Sequence, residues 1–364
     1  MSKRPMSGRI GLGAAAQFGG MALRQIFKYL ANILIAQGLG AAVLGIYQLA
    51  LTAWIAVQQS LTGGLVRGIM RFVPHHIARD EDAEGAAAGR LGMQSALVGG
   101  LLTGGLLYLS SDVVAVRILD QPQAAPVLEV LGLTLPYTAV HYAVWALGRS
   151  LNSLSYVLYQ FILVPVSFLL FVLGIVFYLS DASATDIAWA LLLSFAVPAV
   201  ALIFYYLSLR RSLPDPSPTF DSRPMFRFMG LTAVLSLTEF FFQNVDIFLL
   251  GRLGTPAEVG YYTMASRTAR LCTMVIISFN AFFSPTISGM YASDRTEQMR
   301  RLFSRACGWI LLAGAPLVAF LASNAPDILL LFGSDFQVAV PALHILAGAH
   351  LINLATGLVG AFLL

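Results

Sequence analysis

The chain has 364 residues, of which 58% are apolar and only 11% charged, with a formal net charge of +4. Soluble domains carry about 25% charged residues; at a mean hydropathy of +0.77, lipid must cover much of this chain's surface. The basic balance comes almost wholly from Arg, since Lys3 and Lys28 are the only lysines; with no zinc-ligand or RNA-binding pattern, it fits loops drawn to anionic lipid and excludes a nucleic-acid partner.

A membrane-crossing helix needs about 20 mostly apolar residues. That criterion predicts ten spans, at 14–37, 43–70, 87–110, 126–149, 154–180, 184–209, 225–251, 257–290, 302–323 and 338–362. The start resembles a secretion signal, with Lys3, Arg4 and Arg9 before Ala14-Ala15-Ala16. However, Arg24 and Lys28 follow inside an apolar stretch that continues to Gln37, so the first span is read as retained. That span carries Gln17, Arg24 and Lys28 on one helical face, extended by Asn32. Close-packing glycine pairs follow at Gly64/Gly68 and Gly100/Gly104. His75-His76 lie in a charged loop and are expected to be solvated. Glu129 is expected at the membrane surface, and His141 as a satisfied core histidine. The prolines of Ser212–Pro218 rule out a continuous helix and mark a linker. In the seventh span Thr232, Ser236, Glu239, Gln243 and Asp246 recur at four, three, four and three, which again is one face. The eighth adds Arg267 and Arg270, three apart. Cys272 and Cys307 both fall in apolar segments and are read as membrane-buried thiols. Pro136, Pro165, Pro198, Pro285 and Pro316 interrupt spans, which membrane helices tolerate.

Charge placement sets the orientation. With the N-terminus cytoplasmic, sixteen of the 22 Lys and Arg residues, Arg67 and Arg71 among them, fall on the inside, while Arg117 and Arg252 fall outside. The remaining four, Arg24, Lys28, Arg267 and Arg270, lie within spans. This is a strong positive-inside bias.

The chain also repeats itself at an offset of 215. Residues 112–131 align without a gap on 327–346, with six identities in twenty, including Asp112/Asp327, Asp120/Asp335 and Pro126/Pro341. At the same offset Gly45 and Tyr47 meet Gly260 and Tyr262, and one residue earlier Leu39-Gly40 meets Leu253-Gly254. Both copies begin on the cytoplasmic side, which makes this a parallel repeat with its axis along the membrane normal. The predicted fold is therefore an all-α integral membrane protein of two pseudo-symmetric helical lobes. Residues 1–211 form a six-helix lobe, 212–224 a cytoplasmic linker and 225–364 a second lobe. The repeat leaves that second lobe without counterparts of spans 5 and 6, and a truncated chain is expected.

Ionisable groups at membrane depth cost at least about 2.5–3.5 kcal/mol on insertion scales and mark functional candidates. One reading places Arg24, Lys28, Arg267 and Arg270 in a water-filled cavity holding an anionic substrate, since the planar fork of Arg suits phosphate. Glu239 and Asp246 then bind a coupling proton or sodium ion. The alternative is that these groups pair across the lobes and fix a closed state. No phosphate-cradling Gly-x4-Gly-Lys-Ser/Thr loop, metal-ligand set or nucleophile constellation is present, so a transporter without a cofactor is expected and not an enzyme.

Several motifs carry a family resemblance. In the first half these are Leu39-Gly40-Ala-Ala-Val-Leu-Gly45-Ile-Tyr47 and Arg71-Phe-Val-Pro74-His-His-Ile-Ala78-Arg79. In the second they are Gln243-Asn-Val-Asp246-Ile-Phe-Leu-Leu-Gly251, Val259-Gly260-Tyr261-Tyr262, Asn280-Ala-Phe-Phe-Ser-Pro285 and Leu331-Phe332-Gly333. In their order and spacing the chain resembles the oligosaccharide (polysaccharide) flippases of the multidrug/oligosaccharidyl-lipid/polysaccharide exporter superfamily. The resemblance implies a V-shaped pair of lobes in the cytoplasmic membrane, working by alternating access on a polyprenyl-pyrophosphate-linked glycan beside glycan-assembly enzymes. A multidrug–cation antiporter of the same superfamily is the competing reading, and four intramembrane cations fit it less well. A membrane glycan polymerase or ligase is a third reading, disfavoured because the longest outside loop is only about fifteen residues.

Overall fold

The apolar runs fold as helices, and no strand occurs among the described residues. The computed structural model describes residues 6–151, 159–179, 181–211, 213–279, 283 and 296–357. The longer helices are α1 (Met6–Ile77), α2 (Asp82–Leu109), α3 (Ala125–Ser150), α4 (Val164–Tyr178), α5 (Ala184–Arg211), α6 (Arg223–Leu253), α7 (Pro256–Ala269), α8 (Thr296–Ser323) and α9 (Val340–Thr356). Among the described residues, eight helical segments are long and apolar enough to cross a membrane. Large side chains such as Leu106, Phe177 and Phe242 point outward and exposed, which suits a lipid-facing surface and would be a liability in water. The chain is a multi-pass membrane protein.

α1 holds two of the predicted spans. Gly40, with φ of 83°, breaks it, and the Asn32–Gln48 bond shows what happens there. Sixteen residues along a straight helix span about 24 Å, yet Gln48 Nε2 donates to Asn32 Oδ1 at 2.7 Å. The chain therefore reverses at Gly40 into a helical hairpin, and a residue without a Cβ takes the left-handed angle. Beyond the turn the second arm runs to Ile77, seven residues past the predicted end of its span. The predicted span at 257–290 starts as α7 and continues into residues outside those described, Pro285 among them. Pro136, Pro198 and Pro316 lie inside helices, and Pro165 occupies the first turn of α4.

Two compact units are present, Met1–Val259 and Gly260–Leu364. In the first, α1 packs along α2, α3 and α6, and α2 lies against α3. Its core includes Leu65, Ile69, Val73, Ala88, Ala143, Leu147, Phe161, Leu202 and Met225. The glycine pairs set these approaches. A Cβ at Gly104 would lie 2.7 Å from the Gly132 carbonyl oxygen of α3, and one at Gly68 would lie 2.5 Å from Met229 of α6. His141 is buried and stacks on Tyr137. In the second unit, Cys272, Ile276, Ala306, Ile310, Val318, Ala347 and Leu354 form the core. Cys272 is buried, as read, whereas Cys307 is only partly covered.

The sequence repeat has a matching local structure. A short helix (Ser111–Val113) leads to left-handed Asp120, a 3-10 turn (Pro122–Ala124) and then α3. In the second copy a short helix (Ala325–Leu330) leads to left-handed Gly333, a 3-10 turn (Ser334–Ala339) and then α9. Pro126 and Pro341 both occupy the first turn of their long helices, where the missing N–H costs nothing. The paired residues Ala124/Ala339 and Leu128/Leu343 are buried in both copies.

His76 departs from its expected solvation. The turn after α1 folds back so that His76 Nδ1 lies 2.7 Å from Glu81 and 3.1 Å from Glu84. The connector docks beside it. Phe220 meets the His76 ring edge-on, and the Ser217 N–H donates to the Ala83 carbonyl at 2.9 Å.

Candidate functional site

α6 carries the polar stripe, and its pairing with α1 decides where that stripe points. The two helices run antiparallel: Gly251 sits against Leu49, Gly63 against Ser236 and Gly68 against Met229. Helix side chains lean toward their own N-terminus. Arg67 therefore leans toward the level of Gly63, and Glu239 toward the level of Ser236, which is the same level. Their meeting follows: Arg67 Nη2 donates to Glu239 Oε2 at 3.1 Å, and Nη1 reaches the Thr232 carbonyl at 3.4 Å. Glu239 lies about 24 Å along α6 from Arg223, which is mid-helix.

The pair borders a cavity of about 270 Å³, lined also by Gln58, Gln59, Thr62, Tyr142, Trp145, Ser236 and Gln243. The Arg67 and Glu239 side chains are 40% and 61% exposed, so both reach the cavity. Three amides, two hydroxyls and an ion pair share its wall with the Tyr142 and Trp145 rings, an arrangement with both hydrogen-bonding and stacking capacity for a polar solute. At the far end of α6, Gln121 Nε2 donates to the Gly251 carbonyl at 3.2 Å and helps satisfy the last turn.

The other predicted residues are distributed as follows. Arg24 is partly buried in the first arm of α1. Its guanidinium carbon lies 5.5 Å from the Phe161 ring centre, and its Nε is buried with no hydrogen-bond partner among the described residues. Such an atom calls for a partner that none of the described residues supplies. Lys28, one turn on, is exposed. Asn32 leaves the stripe, since it is buried in the hairpin bond to Gln48. Asp246 is half-buried on α6, two turns beyond Glu239. Arg267 and Arg270 belong to the second unit, where Arg270 Nη2 donates to Ser266 Oγ at 3.2 Å and lies close enough to His350 of α9 to act on it electrostatically. Gln17 has no described side chain.

Arg67 itself was not among the predicted site residues. Its charge counts toward the inside loops when the second span is ended at residue 70, yet the helix continues to Ile77, so Arg67 lies about 15 Å from that end. The run Gln58-Gln59-Ser60, with Thr62, was the available signal: four polar residues in the midst of an apolar span.

Comparison with known proteins gives three results. A family model described as "Polysaccharide biosynthesis protein" matches residues 77–341. The "Probable low-salt glycan biosynthesis flippase Agl15" of Haloferax volcanii is 24% identical over 185 residues, which is 50% of this chain and 39% of that protein. The match thus spans well under half the length of that curated relative. Among solved structures, an inward-facing multidrug resistance MATE family transporter of the MOP superfamily superposes with a TM-score of 0.75 at 16% identity, covering 96% of this chain and 86% of the other. A MOP superfamily transporter from Pyrococcus furiosus, reported with a binding pocket of reversed polarity, gives 0.68 at 15% identity over 98% and 84%. At these identities the likeness is one of fold.

Proposed function

The chain belongs to the polysaccharide biosynthesis protein family, and from that premise we propose that it is a flippase carrying a polyprenyl-pyrophosphate-linked oligosaccharide across the cytoplasmic membrane by alternating access. The coarser statement, a membrane transporter of the MOP superfamily, rests on the family match and the fold together. The observation that carries the finer one is the polar cavity at mid-helix depth, with Arg67–Glu239 on its wall. Gln58, Gln59 and Gln243 offer amides to sugar hydroxyls, and Tyr142 and Trp145 offer ring faces to the apolar side of a pyranose. Arg24, with its buried unsatisfied Nε, supplies an anion partner, and Lys28, Arg267 and Arg270 add positive charge for a pyrophosphate. Glu239 and Asp246 take the coupling proton or sodium ion. In this reading the N-terminus is cytoplasmic, residues 1–211 and 225–364 are the two moving lobes joined by the 212–224 linker, and glycan-assembly enzymes supply the cargo. No bond of the cargo is made or broken.

The carboxylates of α6 favour one second reading, an antiporter that exchanges a cationic drug for a proton or sodium ion. Liposomes separate the two. Purified protein should move lipid-linked sugar between leaflets, and R24A and E239A should lower the rate at equal protein level. Normal movement in both variants refutes the cavity assignment; drug efflux without sugar movement establishes the antiporter.

A further inference from the structure

A second cavity lies at the other end of the α1–α6 pair. It has a volume of about 500 Å³ and is lined by Arg71, Phe72, Asp221, Arg223, Arg227, Phe228 and Leu231, with Pro224. Three arginines and one carboxylate line it, which leaves a net positive wall, and Asp221 Oδ1 already accepts the Arg223 backbone N–H at 3.0 Å. None of the three arginines forms a salt bridge among the described residues. Arg71 is nonetheless held in place: its guanidinium carbon lies 4.4 Å from the centre of the Phe228 ring, a stacking geometry that leaves the edge N–H donors open. The other wall is apolar. From Leu231 an exposed stripe climbs the same face of α6 through Val234, Leu235 and Phe242, which are 61%, 65%, 56% and 84% exposed in that order.

Cationic donors at the foot of an exposed apolar stripe match an amphiphile with a phosphate head and hydrocarbon tail. A free phosphate would use only the arginines. We propose that this cavity binds the phosphate head of an anionic lipid, with Arg71, Arg223 and Arg227 as its ligands and the stripe above Leu231 covered by the tail. The site is separate from the Arg67–Glu239 cavity and holds whether the transported solute is a glycan lipid or a drug. Its occupant is either a resident phospholipid or a polyprenyl phosphate, and both present the same chemistry to the guanidinium groups.

The test uses the full chain, delipidated in detergent and titrated with phosphatidylglycerol under native mass spectrometry. The R71Q/R223Q/R227Q variant should bind at least about tenfold more weakly than wild type, since several charge-assisted bonds are lost. The R79Q/R210Q/R211Q variant, matched in charge, should bind as wild type does; equal weakening in both would reduce the effect to net charge and overturn the site. Competition on the wild-type protein needs no variant to fold. Displacement by farnesyl pyrophosphate and not by inorganic pyrophosphate supports a head-and-tail site and identifies the polyprenyl source. Resistance to both, with phosphatidylglycerol retained, identifies the phospholipid source. Displacement by inorganic pyrophosphate at equal concentration, or no binding of phosphatidylglycerol, overturns the proposal.

Discussion

Changing Gly64 to Ala tests the helix contact on which the candidate site is built. A methyl there would overlap the Met229 carbonyl oxygen, while lying 2.9 Å from its carbon and 3.1 Å from Ala233 Cβ. Carbon atoms prefer about 3.5–4.0 Å, and a gap of 0.5–1 Å forfeits a quarter to a half of each dispersion contact. The obstacle is backbone, so no rotamer relieves it and α6 must retreat. Overpacking of this kind costs about 1–3 kcal/mol, offset by about 1 kcal/mol from the better helix propensity of Ala. Because the obstacle is backbone and not a mobile side chain, the upper half of that range applies, about 2–3 kcal/mol, and the net expectation is a loss of roughly 1–2 kcal/mol. Gly105 of α2 is the control, because a Cβ there meets nothing within 4 Å; G105A should gain up to about 1 kcal/mol. Equilibrium unfolding in mixed micelles measures both. The two substitutions should differ in sign, and a G64A protein as stable as wild type or G105A would refute the close approach of α1 to α6.

Two further outcomes follow from local bonding. Asn32→Ala deprives the buried Gln48 amide of its acceptor at 2.7 Å and should cost about 1–3 kcal/mol in the same assay. N32L/Q48L, which removes both polar partners, should recover most of that. Thr255 and Glu258 form a capping box at the start of α7, with the Thr255 N–H donating to Glu258 at 2.7 Å and the Glu258 N–H donating to Thr255 Oγ1 at 3.3 Å. Thr255→Ala should cost about 1 kcal/mol, seen as faster amide exchange in the first turn of α7 and unchanged exchange in α2.

The sequence made legible what depends on composition and short-range pattern. Apolar run length located the spans, and the gap it left between 37 and 43 contains the Gly40 turn. Small residues at 64/68 and 100/104 marked close approaches. The Arg67–Glu239 bond was not legible because its partners are 172 residues apart, and no periodicity within one helix says which face of another it will meet. Helix length added to the difficulty. The arm carrying Arg67 outruns the apolar stretch, so its charge was counted with the inside segments although it lies about 15 Å from the end of the helix. His76 was misread for a related reason: its carboxylate partners arrive only when the following turn folds back. Asn32 matched the spacing of the cationic stripe, but a buried amide beside Gln48 found a neighbour across the hairpin instead.

The boundary between the repeats and the boundary of the first compact unit do not coincide. The repeat restarts within residues 212–224, yet α6, which follows, packs into the glycine groove at 63–68 and belongs to the unit ending at Val259. A gene cut between 211 and 223 would therefore yield a first polypeptide with an uncovered groove and a second whose leading helix is the matching ridge. Co-expressed, the two should reassemble and purify together as a split protein. The first alone should not be a stable product, because its last partner helix is encoded across the cut.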